Sequence, residues 1–258
     1  QILATATRAH SDAGLAVWSP PLMRAMGRFL HVPRFLTDTG EPVDELSGRR
    51  LWVVQSDVAA RMNLLERAGA RTLIVTEENL LGSMNQNFRE GVHYPDVAHR
   101  LRSFLRVFGH KPRRIALGIR DYGQAWTSGY GYTMTRKPDL PPVRQVAEAL
   151  ATQARGWCHV VADIQDACPE SEILVWRQED LTGNETTIAS AISGRDDIPF
   201  KPPVLKHNSS LERGSAVHLF DKGEIEALSK RYAEDVALLL EPDPQIRWAV
   251  DPPRDPYL

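Results

Sequence analysis

A chain of 258 residues can bury a full hydrophobic core, and 42% apolar with 25% charged side chains is neither a disordered nor a membrane-embedded composition. A net charge of −2 at pH 7 argues against broad attraction to nucleic acid, so any phosphate site has to be a local basic pocket. Two cysteines, Cys158 and Cys168, are too few for a disulfide scaffold and have no His/Cys set at metal-ligand spacing beside them, which leads us to expect a reducing cytoplasm and no metal. No apolar run approaches the roughly eighteen residues of a membrane span, and no signal-peptide pattern opens the chain.

Residues 1–13 read as a helix with Ile2, Leu3, Ala6 and Ala9 on one side, so the chain is expected to open inside an element. Gly14 ends that helix, and Leu15-Ala16-Val17-Trp18 makes a short strand closed by Ser19-Pro20-Pro21. Residues 22–48 place Arg24, Arg28, His31 and Arg34 among Met and Phe, ahead of a polar, turn-rich stretch at 38–47. Two readings stand there: a solvated helix and loop, or the wall of a cleft that receives an anion. Residues 51–68 open on β-rich Leu-Trp-Val-Val, but Val58, Met62 and Leu65 continue at helical spacing, which predicts a helix closed by Gly69. Residues 71–76 form a buried strand running into Glu77, Glu78 and Asn79. An irregular loop is expected over 80–92, then a helix from Tyr94-Pro95-Asp96 through Leu101 and Leu105.

After the turn at Lys111-Pro112, the apolar run 115–119 reads as a strand that stops at Arg120 and Asp121. The helix that follows carries Trp126, Tyr130 and Met134 at spacings of four; Trp126, Tyr130 and Tyr132 are read as core residues, with adenine stacking as the other possibility. Residues 137–142 break the chain, 143–157 form a helix that continues over 160–168, and Pro169 ends it. A strand at 172–176 again terminates in charge at Arg177, Glu179 and Asp180, with a surface salt bridge expected for Arg177. Asn184 is placed to cap a helix that Gly194 ends, and the long segment 195–217, with Lys201, Lys206, His207 and Arg213, reads as a lid or a link. Residues 222–240 form an amphipathic helix, and 246–248 an edge strand. Strands alternating with helices predict an α/β fold whose mainly parallel sheet is covered on both faces, in one domain spanning 1–258.

Strand ends of such sheets are where ligands bind. Arg120 offers a planar fork of donors there and Ser128, eight residues on, adds a hydroxyl, a pair suited to a phosphate; the lesser alternative for Arg120 is an ion pair with Asp121 or a neighbouring strand-end acid. Glu77 and Glu78 sit at another strand end, either as solvated loop carboxylates or as a general base, and adjacent residues point to opposite sides, so one of the two faces any cleft.

The block Ile119-Arg120-Asp121-Tyr122 with Ser128 resembles the 3′-phosphate-binding segment of sulfotransferases that use 3′-phosphoadenylyl sulfate (PAPS), and Glu77-Glu78-Asn79-Leu80 is similar to the acidic strand end of the carbohydrate and bacterial branch. The resemblance follows most of the chain in order and implies a three-layer α/β/α fold of the P-loop superfamily. It also implies transfer of a sulfuryl group from PAPS to a hydroxyl acceptor, such as a carbohydrate, with PAP as the product nucleotide. Arg120 and Ser128 would grip the 3′-phosphate, Lys206 and Arg213 would fold over the nucleotide, and Glu77 or Glu78 would act as base. The family's phosphosulfate loop is a departure: no Gly-x-x-x-x-Gly-Lys-Ser/Thr occurs in the 258 residues, and the expectation is that the first strand and this loop precede Gln1. A non-catalytic nucleotide- or glycan-binding protein of the same fold and a P-loop kinase relative remain open alternatives.

Overall fold

The computed structural model describes residues 14–26, 29–136, 139–197 and 218–252. The helix expected at 1–13, and Lys201, Lys206, His207 and Arg213 of the expected lid, lie outside the described residues. The chain runs β1 (Leu15–Trp18), α1 (Pro20–Ala25), a 3-10 helix (Phe29–Phe35), α2 (Glu45–Arg67), β2 (Thr72–Val75), α3 (Met84–Glu90) and α4 (Val97–Phe108). It continues through β3 (Arg114–Ile119), α5 (Tyr122–Met134), α6 (Val143–Thr152), α7 (Trp157–Ala167), β4 (Glu172–Arg177), α8 (Glu185–Ser193), α9 (Lys222–Leu239) and β5 (Ile246–Trp248). No helix among the described residues is long and apolar enough to cross a membrane.

The fold is mixed α/β with parallel strands throughout, divided into two small sheets. β1 pairs with β2, Leu15 opposite Thr72, and β3-β4-β5 form the second sheet with Gly118 opposite Trp176. Among the described residues the outer edges of β2 and β3 pair with no strand. β4 is covered on both faces: Ile173 and Val175 enter the main core with Val160, Val161 and Ile164 of α7, and Leu174, which alternation turns the other way, is just as buried. α8 packs against β4. Gly118 leaves room for its neighbour, since a Cβ there would stand 2.9 Å from the Trp176 indole.

α4 ties the two halves together. Its Val97 and Leu101 belong to the main core, whereas Phe104 and Val107 join Trp18, Phe29, Val54 and Val58 in a second core under β1 and α2. A third contact is made by α8, whose Ala189 packs on Leu15 while its Ala191 carbonyl accepts from Arg114 of β3.

Three boundaries differ from the periodicity reading. α2 begins at Glu45, because Asp44 accepts from Ser47 N at 2.6 Å and converts the polar stretch into an N-cap and first turn. The Asn- and Gln-rich residues after β2 contain α3, capped by Ser83 and closed by Gly91 in the left-handed region (φ 64°). The single helix expected over 143–168 is two, α6 and α7, with Gln153 at the C-cap of α6 and Gly156 at the N-cap of α7.

His93, just after α3, is buried, with neither ring nitrogen hydrogen-bonded. It packs edge-on against Tyr94, Tyr122, Trp126 and Trp157, the last at 4.4 Å between centroids. Burial, reinforced by the facing guanidinium groups of Arg155 and Arg231, holds its pKa well below the ordinary imidazole value. The unfolded chain therefore takes up this proton first as pH falls below about 6.5, so the neutral ring's contribution to stability is full above that pH and declines below it. We expect His93→Phe to flatten the acid side of a urea-denaturation stability profile between roughly pH 6.5 and 5, by up to about 1.4 kcal/mol per pH unit. An unchanged slope would assign the acid sensitivity to other groups.

Candidate functional site

The two carboxylates after β2 diverge, as adjacent residues leaving a strand should. The Glu77 side chain is 0% exposed and that of Glu78 is 70% exposed. Glu77 Oε1 accepts from Asn79 Nδ2 at 2.9 Å, Asn79 N at 3.2 Å and Arg24 Nη2 at 3.2 Å, whereas Oε2 is buried with no hydrogen-bond partner. The same Arg24 Nη2 reaches Glu78 Oε1 at 2.5 Å. Glu77 is thus a buried carboxylate with one oxygen held and the other unengaged. The loop that presents it is fixed from α4, where Arg100 donates to the carbonyls of Asn79 (2.6 Å) and Leu80 (3.0 Å).

Arg120 follows β3 directly and is half-buried. Its carbonyl accepts from the Trp157 indole Nε1 at 2.9 Å, which fixes the backbone from which the guanidinium projects. No partner for that guanidinium is found among the described residues, and Asp121 is otherwise engaged. Asp121 Oδ1 caps α5 at Gln124 N (2.9 Å), Oδ2 accepts from Ser229 of α9 (2.8 Å), and its N–H donates to Glu179 Oε1 (3.0 Å). Ser128 is half-buried two turns into α5, and its hydroxyl makes no hydrogen bond among the described residues.

Arg177 lies in a bidentate pair with Asp180 (2.7 and 2.6 Å), which removes it from ligand binding; the pair is largely buried and not a surface bridge. Trp126 and Tyr130 are core residues, 1% and 3% exposed. Tyr132 is not: it is 51% exposed, with the Arg136 guanidinium 3.8 Å above its ring. Burial, followed by the Asp235 carboxylate, pushes the Cys158 thiol up to about 12, so it is no thiolate nucleophile at neutral pH. No cluster of three or more His, Cys, Asp or Glu suited to a metal ion occurs among the described residues.

Sequence reasoning placed Arg24 in a basic stretch without a partner. Its contact with Glu77 spans 53 positions and has no local signal. No family model, curated protein or solved structure matches the chain.

Removing Arg24 leaves a buried carboxylate supported by Asn79 alone. Arg24→Ala is expected to cost about 1–3 kcal/mol in urea denaturation, against less than about 0.5 kcal/mol for Arg49→Ala, whose partner Glu45 is exposed. Adding Glu77→Gln to Arg24→Ala should cost less than the sum of the two single changes.

Proposed function

We propose that the chain is a PAPS-dependent sulfotransferase acting on a hydroxyl acceptor, such as a carbohydrate. The observation that carries this reading is the strand end after β3, where the Arg120 guanidinium and the Ser128 hydroxyl are partly exposed and unengaged among the described residues. Ser128 lies about 9 Å along α5 from its first residue, so a long guanidinium and a hydroxyl can take opposite sides of one phosphate. Glu77 supplies the complementary function. Its Oε2 has no partner but is buried, so the acceptor hydroxyl must displace the side chains that cover it; that oxygen then takes the hydroxyl proton as the acceptor oxygen bonds to sulfur and the bond from sulfur to the nucleotide's phosphate oxygen breaks, leaving PAP, the sulfate ester and the protonated acid. Asn79 and Arg24 hold the other oxygen and keep the carboxylate in place.

The fold inferred with this function is three-layered, the two parallel sheets being halves of one sheet with a further strand between β2 and β3 that the described residues do not contain. The unpaired edges of β2 and β3, with α4 and α8 each packed against both halves, support it. A second reading, a non-catalytic nucleotide- or glycan-binding protein of this fold, is favoured by the lack of a Gly-x-x-x-x-Gly-Lys-Ser/Thr segment in the 258 residues.

Calorimetry of the full-length protein with adenosine 3′,5′-bisphosphate and with AMP separates these readings from a kinase relative. A preference for the 3′-phosphate is expected, and Arg120→Ala should weaken binding by roughly 1.5–3 kcal/mol, the scale of a charge-assisted hydrogen bond. Equal affinity for both nucleotides would sink the assignment. In turnover assays Glu77→Gln should abolish most of the rate with nucleotide affinity intact, and Glu78→Gln should keep it; undiminished rates in both would remove the general-base role from this loop.

A further inference from the structure

A second basic site is built where the 3-10 helix meets α2. Residues three apart on a 3-10 helix eclipse, so His31 and Arg34 share one face of Phe29–Phe35. Val43 N donates to the Phe35 carbonyl at 2.9 Å and Leu36 bridges Pro42 antiparallel, which folds the chain back and lays the start of α2 beside that face. Ser47 and Arg50, also three apart, present one side of this helix. Together His31, Arg34, Phe35, Ser47 and Arg50 line an open pocket of about 350 Å³, at the small end of the range for ligand sites.

No carboxylate lines this pocket. Neither Arg34 nor Arg50 has an ion pair or side-chain hydrogen bond among the described residues. Asp44 acts on Arg50 through charge, but its carboxylate is committed to the Ser47 N–H and hydroxyl. The Arg50 guanidinium lies 5.9 Å from the centre of the Phe35 ring, at the outer range of a cation–π contact. The first turn of the 23-residue α2 adds the positive end of its dipole. Two guanidinium forks and an imidazole border one small space with no facing carboxylate, an arrangement complementary to an anion.

We propose that this pocket binds a tetrahedral oxyanion carried as an ester, a sulfate or phosphate monoester of a small molecule, with Arg34 and Arg50 on the oxyanion and Phe35 against the carbon skeleton. None of its residues belongs to the strand-end site, so the proposal stands or falls independently of the sulfotransferase reading.

The test is calorimetry at fixed ionic strength with inorganic sulfate, inorganic phosphate, glucose 6-sulfate and glucose 6-phosphate. The proteins are the full chain, Arg34→Gln, the double variant Arg34→Gln/Arg50→Gln, the neighbouring control Arg49→Gln, and Arg120→Ala. Saturable binding of an ester, tighter than its inorganic ion, is expected in the unmodified chain, Arg49→Gln and Arg120→Ala. Affinity should fall severalfold in Arg34→Gln and at least tenfold in the double variant, with circular dichroism melts unchanged; the preferred ester identifies the source of the anion. Three results overturn the proposal: no saturable binding to Arg120→Ala, a double variant that binds as tightly as the unmodified chain, or esters no tighter than the free ions.

Discussion

One buried hydrogen-bonded junction holds three helices in register and, through them, one end of the candidate site. Asp235 of α9 accepts from the Tyr122 hydroxyl at the start of α5 and from the Trp157 backbone N–H at the start of α7 (2.7 Å), and that N–H also lies 2.6 Å from the Tyr122 oxygen. The junction admits no side chain at the preceding position, since a Cβ on Gly156 would stand 2.2 Å from Asp235 Oδ2. Burial, then the Asp235 carboxylate, raises the Tyr122 hydroxyl far above its ordinary pKa, so it stays a donor at any physiological pH. A carboxylate in this position is worth keeping only while both donors are present, because an unmatched buried charge costs several kcal/mol. The same Trp157 whose N–H enters the junction uses its indole to hold the Arg120 carbonyl. The placement of a half-buried cation at the end of β3 is therefore a consequence of core packing around α5, α7 and α9.

The other end of the site is organised by charge. Glu77 is buried yet only half satisfied, a state that persists because Arg24 supplies a cation and Arg100 clamps the loop that carries Asn79. Burial strips water from Arg100 and lowers its pKa, so two backbone carbonyls replace the water it has lost. An unengaged carboxylate oxygen sitting in protein is costly. That cost is the reason the proposed base is Glu77 and not the solvated Glu78.

Much of this was legible in the sequence where apolar period and strand length coincide. The runs at β3 and β4 and the spacing of Leu228, Tyr232, Val236 and Leu239 in α9 correspond to buried positions. The strand-end acids and Arg120 were visible as charge that interrupts apolar runs. Reading failed where side chains compete with the backbone for hydrogen bonds. Asp44 and Ser83 look like turn residues in sequence, yet both act as N-caps. The α6–α7 break was hidden because apolar spacing resumes in phase after Gly156. Tyr132 shows the limit of a residue-type argument, for an aromatic beside two core aromatics faces solvent at helical phase. The Arg24 contact with Glu77 and the meeting of Arg34 with Arg50 depend on chain reversal, which no local pattern encodes.

Glu77 and Arg120 follow strands of different sheets, so their relative position is set by whatever spans both. α4 does this directly: its Arg100 holds the carbonyls behind Glu77, its inner face packs along α7, and α7 begins with the Trp157 that holds Arg120. The link runs through two charge-assisted hydrogen bonds, an apolar helix interface and an indole N–H donated to a carbonyl. Because Leu101 of α4 lies in the same core as Val160 and Val161, a shift of α4 would disturb both ends together and not one against the other. Shared packing of this kind suits the proposed roles of Glu77 and Arg120, since orientation of the reacting groups carries a large share of the barrier in a transfer between two bound substrates.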